Sequence, residues 1–325
     1  MTIEYETDIL VIGTGGAGLR AAAEAHEKGA RVLLVSKSRA GYNNCTIVAG
    51  SGYLAAVGGM TPEEHKEKTL SVGKGVNDPK LVEVLTREGG VRVLELEKYG
   101  LVVNVGRGGI HVGDADTKLG QGITLPMVKY LKDLGVPFVD NVIVTELLKD
   151  GDRVVGAVGY SSDEKQPAVF SAKAVVLATG GAGALYKRTD CPLKTTGDGY
   201  SLAYNAGTRL RDMEFVQFFP LALAEPGVPQ LLVDGALVEQ GKIINVMGEE
   251  IPVKHKVIER PFIARSRDLL SRAMMREILE GGGVEGAVLI DAREAMKKAK
   301  PGDFFGMGSY EFYRDKVQAH ERPSE

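Results

Sequence analysis

Asp8-Ile-Leu-Val-Ile-Gly13-Thr14-Gly15-Gly16-Ala17-Gly18 is the stretch that decides the fold. An apolar run of strand length ends on Gly13, and a segment of helical composition opens at Gly15 and continues to Lys28. A second apolar run, Ala30-Arg-Val-Leu-Leu-Val35, follows it. Strand, glycine turn, helix, strand is a βαβ opening, and the glycines fit the GxGxxG dinucleotide pattern in the context that gives it meaning. The first glycine permits the tight turn, the second lets a pyrophosphate approach the backbone, and the third allows close packing of helix on strand. The helix N-terminus then faces the phosphates. After the second strand comes Ser36-Lys37, with no Asp or Glu to bond a ribose hydroxyl, so NAD is disfavoured and an ordinary NAD dehydrogenase is the weaker reading.

Composition bounds the rest. At 325 residues the chain has the length of about two domains. A net charge of -3, from 40 basic and 43 acidic residues, lacks the cationic surplus of a nucleic-acid binder. No apolar run approaches transmembrane length, and the acidic start Met1-Thr-Ile-Glu-Tyr-Glu is unlike a signal peptide, so a cytoplasmic protein is expected. Cys45 and Cys191, far apart and without CxxC spacing, indicate neither a disulfide framework nor a metal site. Glycine is in excess, 42 residues or about 13% against the usual ~7%, which implies many turns or close backbone approaches.

From Thr61 to about Gly100, Leu81, Val84, Leu85, Val91, Leu94 and Leu96 recur at helical spacing and predict amphipathic helices packed on a sheet. Residues 101–123 read as a long glycine-rich loop before a helix at Leu125–Leu134. Val136–Leu148 and Val154–Tyr160, separated by Asp150-Gly151-Asp152, read as a small antiparallel β-meander. Ala174–Ala178 is a short apolar strand ending in a second glycine turn, Thr179-Gly180-Gly181-Ala-Gly183. Beyond Pro220 the composition changes, with Leu231–Val233, Lys242–Val246 and a basic helix at Asp268–Leu279. The boundary is placed near 226–230, giving domains 1–230 and 231–325, and Lys316–Glu325 reads as a polar tail.

Four stretches carry a family likeness: the glycine turn; Ser36-Lys37 with Cys45-Thr46-Ile-Val-Ala49-Gly50-Ser-Gly52; Ala174–Gly183; and Thr195-Thr-Gly-Asp198-Gly199 leading to Arg211-Asp-Met-Glu-Phe-Val-Gln-Phe218. In order and spacing the chain resembles the flavoproteins that include succinate dehydrogenase, fumarate reductase and L-aspartate oxidase. The resemblance implies an α/β fold with a Rossmann-like FAD-binding domain bearing a small β-meander, and an α+β capping domain. It implies FAD as cofactor, with Gly13 to Gly18 and Thr179, Gly180 and Gly181 at the nucleotide. Ser36 and Lys37 would lie near the adenosine and diphosphate, and the backbone at Ile143 near the adenine. Cys45, Thr46, Ala49, Gly50 and Gly52 would run beside the ring, and Asp198 would bond the ribityl chain or cap the helix after it. Cys45 stands where respiratory members carry a histidine bonded to the flavin, so noncovalent FAD is expected.

The reaction implied is hydride transfer between flavin and a small carboxylic acid of the succinate, fumarate or aspartate type. An iron-sulfur partner chain is a possible electron partner. Arg267, in Arg265-Ser-Arg267-Asp268, matches the family's proton-donating arginine; because a guanidinium holds its proton tightly, it needs a dry site and a carboxylate relay. Asp234 stands at the position of a family glutamate. Other positions depart from the family. Phe218-Phe219-Pro220-Leu221 replaces Phe-His-Pro-Thr, Leu237 replaces an arginine, and nothing in Pro301–Glu325 resembles the family's returning C-terminal segment. A less polar substrate, or an FAD-holding chain without turnover, fits these losses. Phe215, Phe218 and Phe219 read as strand core.

Overall fold

In the computed structural model the described residues are 2–50, 52–114, 120–217, 219, 221–224, 232–300 and 315. The chain divides into two units, Met1–Asp212 and Met213–Glu325. The boundary expected at 226–230, Phe218, Pro220 and the tail Lys316–Glu325 lie outside the described residues.

The first unit is a mixed α/β layer structure. Its elements in order are β1 (Ile3–Ile12), α1 (Gly16–Glu27), β2 (Val32–Val35), α2 (Cys45–Val48), β3 (Gly52–Leu54), α3 (Pro62–Gly73), α4 (Pro79–Leu94), β4 (Val103–Gly106) and β5 (Gly109–Val112). After these come α5 (Gln121–Asp133), β6 (Phe138–Val139), β7 (Val142–Asp150), β8 (Arg153–Ser161), β9 (Gln166–Leu177) and α6 (Asp198–Asn205). One sheet runs β6-β2-β1-β9-β8-β7. The first four strands are parallel, and β8 and β7 add on antiparallel. The central strands are apolar on both faces because both are covered. Val11, Val32 and Leu34 point to the side packed by Leu19, Ala22 and Ala23 of α1 and Met127 and Leu131 of α5. Leu10, Ile12, Leu33 and Val35 point the other way, with Phe170 and Leu202.

Three readings change. The meander and the Ala174–Ala178 strand are one object: β9 pairs with β8 through Gln166–Ser171 and with β1 through Ala168–Leu177. Residues 103–112 form a hairpin rather than a loop, and β5 pairs with both β4 and β3. In α4 the apolar residues do not face inward. Leu81, Val84, Leu85 and Val91 are exposed, whereas Val82, Thr86 and Gly90 are buried. The inward face needs small residues: a Cβ at Gly90 would lie 2.9 Å from the Ala56 carbonyl oxygen.

The second unit contains α7 (Gly235–Gln240), β10 (Lys242–Ile244), α8 (Ile251–Lys254), α9 (Phe262–Arg265), α10 (Arg267–Leu279), β11 (Leu289–Asp291) and α11 (Arg293–Lys298). β10 and β11 pair antiparallel under a core of Leu237, Val238, Ile243, Ile251, Phe262 and Leu270. Glu277 of α10 is almost fully buried there. It accepts hydrogen bonds from Asn245 Nδ2 at 2.9 Å and His255 Nε2 at 2.7 Å and pairs with Lys254 Nζ at 2.9 Å. Those donors hold its pKa at about 2, below the ordinary 4.5. A depressed carboxyl pKa means that the folded state prefers the charged form, so this stabilisation is complete above pH 4.5 and fades as pH falls towards 2. In urea unfolding at pH 7, Glu277→Gln is expected to lose about 1–3 kcal/mol relative to the wild type. The gap should narrow by pH 3; a gap independent of pH would place the effect in packing.

Candidate functional site

Three parallel strands end side by side at the glycine turn. Gly13 N–H donates to Val35 O at 2.9 Å and Ala178 N–H to Ile12 O at 2.8 Å, which sets the ends of β1, β2 and β9 in one row. Gly13 has φ +114°, and a Cβ on it would sit 2.2 Å from the Ala178 carbonyl oxygen. A Cβ on Gly18 would lie 2.0 Å from the Gly13 carbonyl oxygen. Packing within the chain therefore demands both glycines. Gly15 is different, because its Cβ would meet Asn44 and Thr46 only at ordinary contact distances of 3.5–3.7 Å. Its lack of a side chain leaves the backbone open to a ligand instead.

Gly15 is also the N-cap of α1, and no side chain caps this helix end. The Gly16 N–H donates to Thr46 Oγ1 at 3.0 Å, so Thr46 stands over the helix start. Behind it, Thr14 Oγ1 donates to Ser36 Oγ at 3.1 Å and accepts from Gly41 N–H at 3.2 Å. Val142 N–H donates to Ser36 O at 2.9 Å, which sets the start of β7, and next to it Ile143, beside this cluster.

Lys37 closes the row. Its Nζ donates to Asp198 Oδ2 at 2.5 Å and to Thr196 Oγ1 at 2.6 Å, and Thr196 Oγ1 donates to Asp198 Oδ1 at 2.6 Å. Partial burial pushes the Asp198 carboxyl upward, but the Lys37 and Thr196 hydrogen bonds outweigh it and leave the pKa below its ordinary value. Asp198 is the first residue of α6, after the N-cap Gly197, and it does not cap the helix. The Gly197 N–H donates to Gly181 O at 3.1 Å, and a Cβ on Gly199 would strike Thr179 Oγ1 at 1.9 Å, so the second glycine turn seats directly on this helix start. Nothing lies within 4 Å of where a Cβ would stand on Gly180, Gly181, Gly50 or Gly52.

The structure thus brings Gly13 to Gly18, Ser36, Lys37, Thr46, Thr179 to Gly181 and Asp198 together. Ala49 and Gly50 are exposed, and Gly52 pairs with His111 as the start of β3. Residues 45–48 are a helical turn rather than an extended strip. Sequence reasoning missed Asn44, which caps that turn by accepting Ile47 N–H at 3.0 Å and keeps its Nδ2 buried with no partner. Its only sequence signal is an Asn before a short apolar run, which reads as a cap. A groove of about 850 Å³ lined by Ile3, Tyr5, Arg31 and Phe138 includes none of these residues.

In the second unit, Arg267 opens α10 and its Nε donates to Ile263 O at 2.9 Å. Asp234 is the buried N-cap of α7, accepting Ala236 N–H at 2.8 Å. Leu237 is core, at 3% exposure. Phe215 corrects the strand-core reading: it is 60% exposed and belongs to no strand, so its ring has no layer to pack on.

The family described as FAD binding domain matches residues 8–311. The chain belongs to this FAD-binding family. Among its relatives, a fumarate reductase (CoM/CoB) flavoprotein-type chain of Methanothermobacter marburgensis is 34% identical over 311 residues, covering 88% of this chain and 55% of that one. L-aspartate oxidase of Saccharolobus solfataricus is 34% identical over 280 residues, covering 84% and 57%. The FrdA chain of E. coli quinol fumarate reductase superposes with TM-score 0.77 at 26% identity, covering 89% of this chain and 53% of that one. The likeness read from the four sequence stretches is therefore borne out. The chain spans about half the length of the relatives it matches.

The residues present fit FAD. The uncapped α1 start suits a diphosphate, the buried Asn44 Nδ2 is a donor awaiting an acceptor, and the open faces of Gly180 and Gly181 admit a flat or bulky group. Two glycines of this FAD-binding chain separate packing from ligand approach. Gly18→Ala should lower stability by several kcal/mol, since backbone must move. Gly181→Ala should stay within about 0.5 kcal/mol in thermal unfolding yet weaken FAD binding in a titration. Equal FAD affinity in Gly181→Ala would remove that turn from the cofactor site.

Proposed function

We propose that this chain is the flavin-holding part of an FAD-dependent oxidoreductase, transferring hydride between noncovalent FAD and a small carboxylic acid of the succinate, fumarate or aspartate type. An iron-sulfur partner chain would pass the electrons on. The observation that carries this reading is the row of parallel strand ends that gathers an uncapped helix start and the Lys37–Asp198 pair at one edge. When bound, FAD supplies the hydride chemistry at its ring nitrogen.

The chain's own residues do the holding and the proton work. The backbone amides at the start of α1 bind the diphosphate, Ser36 and Lys37 lie on the adenosine side, and Thr46 and Asp198 orient the ribityl side. Arg267 binds the substrate carboxylate and delivers a proton from its guanidinium, and Asp234 restores it as relay. The bond from Arg267 Nε to the Ile263 carbonyl fixes the guanidinium plane for that task. With a cysteine where a flavin-bonding histidine would stand, the FAD should leave the chain on acid precipitation. One observation favours a second reading, an FAD-holding chain without turnover: Leu237, where the family has an arginine, is buried in an apolar core.

The visible spectrum of the purified protein and dye reduction with succinate, fumarate and aspartate test the proposal; flavin with no turnover on any acid favours the second reading. Arg267→Ala should retain FAD and lose roughly 10²–10⁴-fold in turnover. Two variants at Asp234 separate relay from cap. Asp234→Asn keeps a capping side chain but removes the charge, so turnover should fall with the melting temperature held. Asp234→Ala should lower both, by about 1 kcal/mol in stability. Full turnover in Asp234→Asn would restrict this residue to capping.

A further inference from the structure

The two cysteines, remote in sequence, meet in space. Their thiols hydrogen-bond each other. Cys45 Sγ lies 3.8 Å from Thr195 Oγ1, and a Cβ on Gly183 would come within 2.3 Å of Cys191 Sγ, so the second thiol is held against the backbone of its own loop. Both are free thiols; Cys45 is exposed and Cys191 partly so. Each sits on a different flank of the cradle. Cys45 opens α2, beside Thr46, which covers the start of α1. Cys191 belongs to residues 183–197, a segment that folds on itself through Ala184 N–H to Thr195 O and then bonds Gly181 through Gly197 N–H. The same segment ends at Thr196, which holds Lys37 and Asp198. Among the described residues no group of three or more His, Cys, Asp or Glu side chains is placed to hold a metal ion, so the pair has no ligand set to complete.

We propose that Cys45 and Cys191 are a redox-active dithiol whose oxidation to a disulfide clasps α2 to the 183–197 segment across the nucleotide cradle. The oxidant is a small disulfide. The thiolate of exposed Cys45 attacks one of its sulfurs; a Cys45–small-molecule bond forms, the original S–S bond breaks, and the first small thiolate leaves. Cys191, whose burial raises its pKa, gives its proton to solvent and attacks Cys45 Sγ, expelling the second small thiolate. Two protein thiols and one disulfide become one protein disulfide and two small thiols, with two electrons passing to the small molecule. The S–S bond of about 2.05 Å is reached from thiol contact by side-chain rotation. With both flanks tied, a bound nucleotide cannot leave by parting them. The dithiol stands on its own geometry; its effect on nucleotide release rests on the FAD reading above.

The test uses the full chain, with its FAD, equilibrated with oxidised or reduced glutathione and trapped with iodoacetamide. Reduced protein should take up two labels and oxidised protein none; digestion of the latter should yield a Cys45–Cys191 linked peptide that dithiothreitol reverses. Separate glutathione adducts on the two cysteines, or a chain-to-chain disulfide as the sole product, would overturn the pair. FAD release, followed by flavin fluorescence, should be at least about fivefold slower in the oxidised form. Cys191→Ser should keep FAD and release it at one rate in both buffers. A linked peptide with unchanged release would overturn the clasp, and a linked peptide on a chain that holds no FAD would overturn the clasp and the flavin reading together while the dithiol stands.

Discussion

The cradle depends on backbone crowding at one point, where the carbonyl oxygen of Ala178 stands 2.2 Å from the place a side chain on Gly13 would need. That closeness sets β9 against β1 at their C-terminal ends. Gly13 then turns with φ +114°, and its own carbonyl leaves room only for Gly18 in the first turn of α1. The helix so aimed carries Leu19, Ala22 and Ala23 into the core. One constraint therefore fixes both the packing of the first layer and the direction in which the helix presents its free amides. The C-terminal edge of parallel strands is where open α/β sheets bind ligands, and here the cause is visible in single atoms.

The Lys37–Asp198 pair makes sense in those terms. Its side chains are 23% and 34% exposed, so screening leaves it little net stabilising value. What it does is placement. Thr196 and Lys37 together fix both carboxylate oxygens, and the second glycine turn is held to the same helix start by Gly197 and Gly199. A cation is thereby kept beside an uncapped helix start, while its paired anion prevents unbalanced charge from accumulating before a diphosphate arrives.

The βαβ opening was legible in the sequence because its signals are local: two apolar runs, spaced glycines and a helix between them. What failed depended on distant partners. The hairpin at 103–112 hid because Gly106, Gly108 and Gly109 mask the alternation of Val103, Val105, Ile110 and Val112. β9 was divided because Ser171 and Lys173 break its apolar run, although the strand continues through both. In α4 the apolar stripe was read as the inner face, yet close approach to Ala56 selects the Thr86 and Gly90 side. Site residues 36, 37 and 198 came from family likeness alone, because residues 161 positions apart share no local pattern. The meeting of Cys45 with Cys191 belongs to the same class and had no sequence signal.

Arg267 poses a different kind of question, since its position runs against helix stability. A cation at the first residue of α10 stands at the positive end of the helix dipole, which is worth about 0.3–1 kcal/mol against it. The neighbouring Asp268 and the bond from Nε to the Ile263 carbonyl offset that cost. Arg272 and Arg276 lie further along the same helix, where the dipole no longer opposes a positive charge. An arginine at the helix start is therefore poorly explained as a stabilising surface charge. A bound carboxylate would reverse the balance, because it gains from the guanidinium and from the helix amides at once. Of the arginines in the second unit, this is the one whose placement is improved most by an anionic ligand.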